Sequence, residues 1–361
     1  MSDRSNRPLP LTIEEIDADW LTAALRTRAP GVTVRNFEIV DMMRGTCTKI
    51  RLRLDMDEAG KRAGIPETVI LKGGFEPHSR EMHEMHGTEV RGYRDVYSVF
   101  KLPTPVCYFA DHDPQRQQGI IIMEDMVARG VTFCSALKPQ THDQVARRLA
   151  VLARHHAQTW DSPDLVPGRK WAWVNDVAVN TRHHFGQYLV PEEWQRFVDS
   201  PRGAAASVRY HDRHWMADAL DRLVTFSGQR PHVIVHGDTH LGNLYIYPDD
   251  SPGFLDSLPG RGPAIEEISY HIVCALDLAD RPRWEGALLR HYLDELERNG
   301  VTPPSFDDAL YQYGLFLARG YIVFLCNESF YQVEAINTAY TARFSAAMLD
   351  HDTIGLLKTV K

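Results

Sequence analysis

HGDTHLGN, residues 236 to 243, is the stretch on which the reading of this chain turns. It follows the apolar run Val233-Ile234-Val235 and gathers His236, Asp238, His240 and Asn243 at the end of a strand. Two chemistries fit it. His236, Asp238 and His240 alternate, as metal ligands would on a strand that continued. Asp238 and Asn243 are five apart, the spacing of a phosphoryl-transfer loop in which one residue meets the attacking hydroxyl and the other holds a cation. Gly237 and Gly242 weaken a regular strand. His83 and His86 lack an H-E-x-x-H pattern, and His155-His156 and His183-His184 are adjacent pairs whose side chains diverge. The metal-dependent hydrolase is therefore the lesser reading.

Working outward, the segment 232 to 256 reads as a small β-island, HVIVHGD and NLYIYPDDSPGFLD, with a hairpin loop at Pro248-Asp249-Asp250-Ser251-Pro252-Gly253. Such a hairpin returns the chain to Asp256 and brings it to the same edge as Asn243. Both offer hard oxygen ligands of the kind Mg²⁺ takes. Asp238 is then free to accept a proton. The run D-x4-N-x12-D matches the catalytic template of kinases.

The rest of the chain reads as two parts. A helix over 13–27, opened by a Thr12/Glu15 capping box, precedes strands at 37–42, 48–56 and 67–73, a helix at 81–100, and two more strands in TPVCYFAD and QGIIIMED. From 142–160 onward the periodicity is helical, with further helices near 191–200, 204–227, 264–279, 283–299, 305–326 and 333–349. The expected class is α+β, with a β-rich unit over 1–124 that binds nucleotide and a mainly helical unit over 125–361 that carries the catalytic loop and the acceptor site.

Candidates in the first part follow from charge and turn chemistry. Lys72 ends the apolar strand TVILK, where a half-buried ammonium needs a partner, and Glu89 in the following helix is preferred over Glu81 and Glu84. Arg44, Gly45 and Thr46 sit at a hairpin tip whose backbone N–H groups suit phosphates. Glu124 and Met126 fall at the junction, where an extended hinge would meet an adenine through its backbone.

Composition excludes several classes. The 361 residues are 43% hydrophobic and 24% charged with a net charge of −8, and no stripe rich in Lys and Arg marks a nucleic-acid partner. The five cysteines are scattered without a C-x-x-C pair, which fits a reducing, cytoplasmic setting. The N-terminus has no apolar leader segment, and Arg319 and Gly320 interrupt the apolar run 310–326, which reads as a buried helix and not a membrane span.

Together RGTCTKIRLRL, VILKGG, GTEVRGYRDV, IIIMEDM, LAVLARHHAQTW, VHGDTHLGNLYI and FLD resemble the aminoglycoside phosphotransferase and choline kinase group, most closely its ecdysteroid-kinase-like branch. The resemblance implies a protein-kinase-like two-lobe fold and ATP-dependent phosphorylation of a small-molecule hydroxyl. It implies Asp238 as catalytic base, Asn243 and Asp256 as Mg²⁺ ligands, Lys72 on the nucleotide phosphates and Glu89 orienting it. Two departures stand out: Ser257-Leu258-Pro259 follows Asp256, and Glu267-Ile268-Ser269-Tyr270 replaces an Asp-Leu pair before a tyrosine. The longer Glu267 is expected to re-space the network behind the catalytic loop, and a nucleotide-binding pseudokinase is the rival this raises. Trp171, Trp173, Phe185, Tyr188, Tyr313, Phe316, Phe330 and Tyr331 would suit a moderately apolar alcohol as acceptor.

Overall fold

β-branched and alternating segments in the first third form five strands: β1 (Val34–Met43), β2 (Thr48–Met56), β3 (Thr68–Gly73), β4 (Cys107–Asp113) and β5 (Gln118–Glu124). They make one antiparallel sheet in the order β1-β2-β3-β5-β4. The structure, a computed structural model, describes residues 7–100, 102–138 and 140–360. The chain divides into two compact units, Met1–Thr132 and Phe133–Lys361.

Period-two alternation gives the sheet two working faces. Val69 and Leu71 of β3 point into a cluster with Ile50, Leu52, Ile120 and Ile122, closed by Trp20, Leu21 and Leu25 of the helix Ala18–Arg26. Lys72 therefore points the other way. On that side lies its cross-strand neighbour Ile121, against which Val90 and Tyr93 pack. The first helix is shorter than its periodicity predicts. Asp17, accepting from Trp20 N–H at 2.6 Å, is its N-cap, and Thr12 caps nothing. The helix expected over 81–100 is three pieces: His83–Arg91, a π-helical turn Gly92–Val96, and Tyr97–Phe100. The wider turn puts Tyr93, Val96 and Tyr97 all at buried positions.

The second unit is built around the helix Ala264–Ala275, in which every residue is buried. A helix that is apolar on all sides belongs in a core, so the polar residues it carries, Glu266, Glu267, Tyr270 and His271, need partners inside the protein. Around it stand His142–Ala157, opened by a Thr141/Gln144 capping box, and Arg281–Arg298, Phe306–Leu325 and Glu334–Asp350. The helix expected over 204–227 starts only at Arg213, because Asp212 caps it through His214 N–H; Pro201–Ala204 is a separate short turn. The helix Val177–Gly186 has no counterpart among the expected elements.

The β-island holds the expected hairpin, Leu244–Ile246 with Pro252–Phe254. Val233–Val235 pairs outside it, with Gly260–Gly262, a glycine-rich segment with no strand propensity of its own. Among the described residues, no helix is long and apolar enough to cross a membrane.

Candidate active site

The loop after Val235 is held by hydrogen bonds at His236, Gly237, Asp238, Leu241, Gly242 and Asn243. The strand ends at Gly237, whose φ of 90° only glycine adopts easily, and a Cβ there would stand 2.0 Å from the Leu258 carbonyl oxygen. This bend stops His236, Asp238 and His240 from lining one strand face. His236 is fully buried: its Nε2–H donates to Leu255 O at 2.9 Å, and its Nδ1 accepts from Asp238 N–H at 3.3 Å. With both ring nitrogens used, His236 has no lone pair for a metal. Among the described residues, no group of three or more His, Cys, Asp and Glu is placed to hold one. These features remove the basis of the hydrolase reading.

Asp238 carries two side-chain donors. The Tyr270 hydroxyl donates to Oδ1 at 2.9 Å, and Asn243 Nδ2 donates to Oδ2 at 2.9 Å and to the Asp238 backbone oxygen at 3.0 Å. His240 Nε2 stands 3.5 Å from Oδ2, while its Nδ1 accepts from Gly242 N–H at 3.0 Å. Burial pushes the Asp238 carboxyl up, but His240, Tyr270 and His236 outweigh it and hold the group below its ordinary value. The carboxylate is thus ionised at neutral pH, as a proton acceptor must be. His240, assigned no role from sequence, caps the turn Leu241–Asn243 and turns its other ring nitrogen toward Asp238.

Asn243 is buried, and its amide nitrogen is committed to Asp238. Its carbonyl oxygen is the atom left for a hard cation. Leu255 N–H donates to Asn243 O at 2.7 Å, which seats half-buried Asp256 directly after the residue bonded to Asn243. Asp256 has a left-handed φ of 47°, a conformation that aspartate tolerates better than most residues. Asn243 and the segment that carries Asp256 thus meet at the hairpin edge, and both side chains offer oxygen, the donor type a hard cation takes.

Behind the loop stands Glu267. Its carboxylate accepts from His236 N–H at 3.1 Å, Gly237 N–H at 2.7 Å and His156 Nε2–H at 2.9 Å. His156 in turn accepts from the Tyr292 hydroxyl at 2.8 Å. Burial raises the Glu267 carboxyl, but these donors win and bring it down to about 2. The longer side chain at this position therefore reaches its donors in full. Ser257, the other departure, donates its hydroxyl to His236 O at 2.9 Å. Further braces are His271 Nδ1–H on Thr239 O at 3.0 Å, and the Tyr340 hydroxyl, which accepts from Leu241 N–H at 3.0 Å. Tyr270, His271, His156 and Tyr340 escaped sequence reasoning. The usable signal was a set of polar residues inside segments that are otherwise apolar.

In the first unit, Lys72 Nζ lies 2.7 Å from Glu89 Oε2 and 2.8 Å from Oε1, and both residues are buried. Glu81 and Glu84 do not hold it. The hairpin tip is tied down through its carbonyls: His78 donates to Gly45 O at 2.8 Å and Ser79 to Thr46 O at 2.9 Å, while Arg44 pairs with Glu76. The junction is not an extended hinge. Asp125 accepts from Val127 and Ala128 N–H, which folds Met126 to Gly130 into a turn, and Met126 O accepts from Arg129 N–H at 3.2 Å. Glu124 pairs with Arg129 at 3.1 Å. Of the aromatics named for an acceptor, Trp171, Tyr313 and Phe316 are core residues, each at most 4% exposed, so they line no open surface. Phe330, 60% exposed, does.

A sheet-rich first part, a helical second part and this loop define a class: the chain has the fold of small-molecule kinases. It is similar to ethanolamine kinase from Plasmodium vivax (14% identity over 86% of this chain and 82% of that one, TM-score 0.51). It is also similar to choline kinase from Cryptosporidium parvum (10%, 95% and 96%, TM-score 0.54) and to amicoumacin kinase hAmiN in complex with AMP-PNP, Ca²⁺ and Ami (13%, 87% and 88%, TM-score 0.51). No curated protein matches the chain in sequence. The chain belongs to the ecdysteroid kinase-like family, whose profile matches residues 81–300. By that membership it is a small-molecule phosphotransferase with a hydroxyl acceptor.

Proposed function

We propose that the chain transfers the γ-phosphoryl group of ATP to a hydroxyl of a small, moderately apolar organic molecule, in the cytoplasm, with Mg²⁺. The observation that carries this is Asp238: ionised, fixed by Tyr270 and Asn243, and followed by two oxygen donors at Asn243 and Asp256.

In this reading Asp238 orients the acceptor hydroxyl and takes its proton as the oxygen bonds to phosphorus. The bond from the γ-phosphorus to the β–γ bridging oxygen breaks, and ADP leaves. Lys72 holds the α- and β-phosphates, and Glu89 keeps its ammonium aimed. The tip Arg44-Gly45-Thr46 faces phosphates through its backbone, and the segment from Glu124 to Met126 meets the base. Asn243 Oδ1 and Asp256 would hold Mg²⁺, and the chemistry that ion supplies is neutralisation of charge on the phosphates. That amicoumacin kinase is solved with AMP-PNP and Ca²⁺ supports a nucleotide with a divalent cation. Most of the rate is positioning and electrostatics.

The test is Asp238→Asn in an acceptor screen with ATP. Proton acceptance contributes roughly 10²–10⁴-fold, so turnover should fall by that factor with nucleotide binding retained. Turnover near wild type would remove Asp238 as the base.

A further inference from the structure

Arg319 touches both the residue before Asp238 and one of its two side-chain donors, Tyr270. It projects from the helix Phe306–Leu325 and is 9% exposed. Its NH2 donates to the carbonyl of Gly237, the residue before Asp238, at 3.2 Å, and its Nε donates to Thr181 Oγ1 at 3.3 Å. Its guanidinium carbon lies 4.9 Å over the ring of Tyr270, the residue whose hydroxyl sits on Asp238 Oδ1. Glu266 Oε1 stands 3.3 Å from its Nε. Neither Glu266 oxygen accepts a hydrogen bond within the described residues, so this cation is its compensation. An arginine buried in an apolar helix is costly unless such partners hold it. These partners converge on the catalytic loop.

We propose that Arg319 is a positioning residue: it fixes the Gly237 carbonyl and the tilt of the Tyr270 ring, and so keeps the Tyr270 hydroxyl on Asp238. The inference rests on the reading of Asp238 as the base. Arg319 does not touch Asp238, and its effect passes through Tyr270. The charged and titratable groups around the device are Glu266 beside Arg319, Glu267 and Asp176 near Glu266, His236, His240 and Tyr270 beside Asp238, and Cys274, which feels both Arg319 and Asp238. Burial, first of all, pushes Glu266 up to about 7, with Arg319 opposing it. A planar fork matters here, since one group spans Gly237 O and Thr181 while lying flat on a ring.

The experiment measures turnover at saturating Mg·ATP and neutral pH, using hydrolysis of Mg·ATP if no acceptor is yet in hand, beside Mg·ATP affinity by calorimetry. Tyr270→Phe removes a donor from the carboxylate, so turnover should fall about tenfold with Mg·ATP affinity held. Arg319→Met should do the same and add nothing to Tyr270→Phe in the double variant, a non-additivity that a merely structural role would not give. Arg319→Lys should recover only part. Should Arg319→Met fail to fold, Thr181→Ala, which removes one anchor of the guanidinium, is expected to lower turnover in the same direction and again add nothing to Tyr270→Phe. If the folded Arg319 variants keep wild-type turnover, or if their loss adds in full to that of Tyr270→Phe, the proposal is overturned. Retained turnover in Asp238→Asn would instead sink the catalytic reading, while the ring signals of labelled Tyr270 would still report whether Arg319 sets its tilt.

Discussion

Glu267→Asp is the change in which geometry makes the sharpest demand. The side chain loses one methylene, so the carboxylate retreats by roughly 1.5 Å. Its three donors now stand at 2.7, 2.9 and 3.1 Å, and after that retreat none stays within hydrogen-bond range unless the loop follows. Each buried donor left unsatisfied costs about 1–3 kcal/mol. The loop will relax to recover some of this, so a net loss of roughly 2–4 kcal/mol is expected. Linkage gives a similar figure. Glu267 titrates at about 2 in the fold against 4.5 ordinarily. Folding therefore gains stability that is complete above pH 4.5 and vanishes as pH falls through 2, worth about 3 kcal/mol at about 1.36 kcal/mol per unit. The assay is urea unfolding at pH 7 followed by tryptophan fluorescence, with a thermal melt beside it. The midpoint should drop by roughly 5–15 °C. A variant within about 0.5 kcal/mol of wild type would refute the argument, because it would mean the backbone N–H groups of His236 and Gly237 do not depend on this carboxylate.

Three further outcomes follow. Lys72→Met should strand Glu89 in a buried site and cost about 3–5 kcal/mol in the first unit, with nucleotide affinity lost as well; Lys72→Met/Glu89→Leu should recover stability but not affinity, as denaturation and nucleotide titration will show. Burial holds His86 and His271 at about 4 and His155 at about 3, so in the window from about 6.5 down to 4.5 the unfolded chain gains three protons that the folded chain does not. Glu266, up at about 7, works the other way and takes one proton in the fold, leaving a net difference of two. Stability should therefore fall with a slope of about 1 kcal/mol per pH unit near 6.5 that steepens to about 2–3 below 5.5, and a melting temperature that stays flat or rises across that range contradicts the assignment. Gly237→Ala should abolish the loop conformation, since the added Cβ meets Leu258 O at 2.0 Å, and no soluble active protein is expected on expression.

What could be read beforehand was what local spacing encodes. Alternation in TVILK sets Lys72 on the face opposite Leu71, and helical spacing sets Glu89 within reach of it. The turn residues after Ile246 return the chain to Asp256. What escaped depends on distant partners. Nothing near Arg319 announces Gly237, 82 positions away, although an arginine inside an apolar run was a visible anomaly. Tyr270 and His156 reach the loop from helices whose packing angles no periodicity specifies. The partner of Val233–Val235, Gly260–Gly262, lies beyond the expected β-island and carries no strand signal. The extended hinge gave way to a turn because Asp125 offers its carboxylate to its own backbone, a competition that aspartate often wins.

The most direct test of the central claim is the melting temperature with and without ATP and Mg²⁺, on wild type and on Asp256→Ala. A ligand that binds only the folded state adds about 2.7 kcal/mol at a hundredfold excess over Kd. The account predicts a rise in wild type that requires Mg²⁺ and is lost in Asp256→Ala. No rise in wild type, or an equal rise in Asp256→Ala, would contradict a nucleotide held through Asn243 and Asp256.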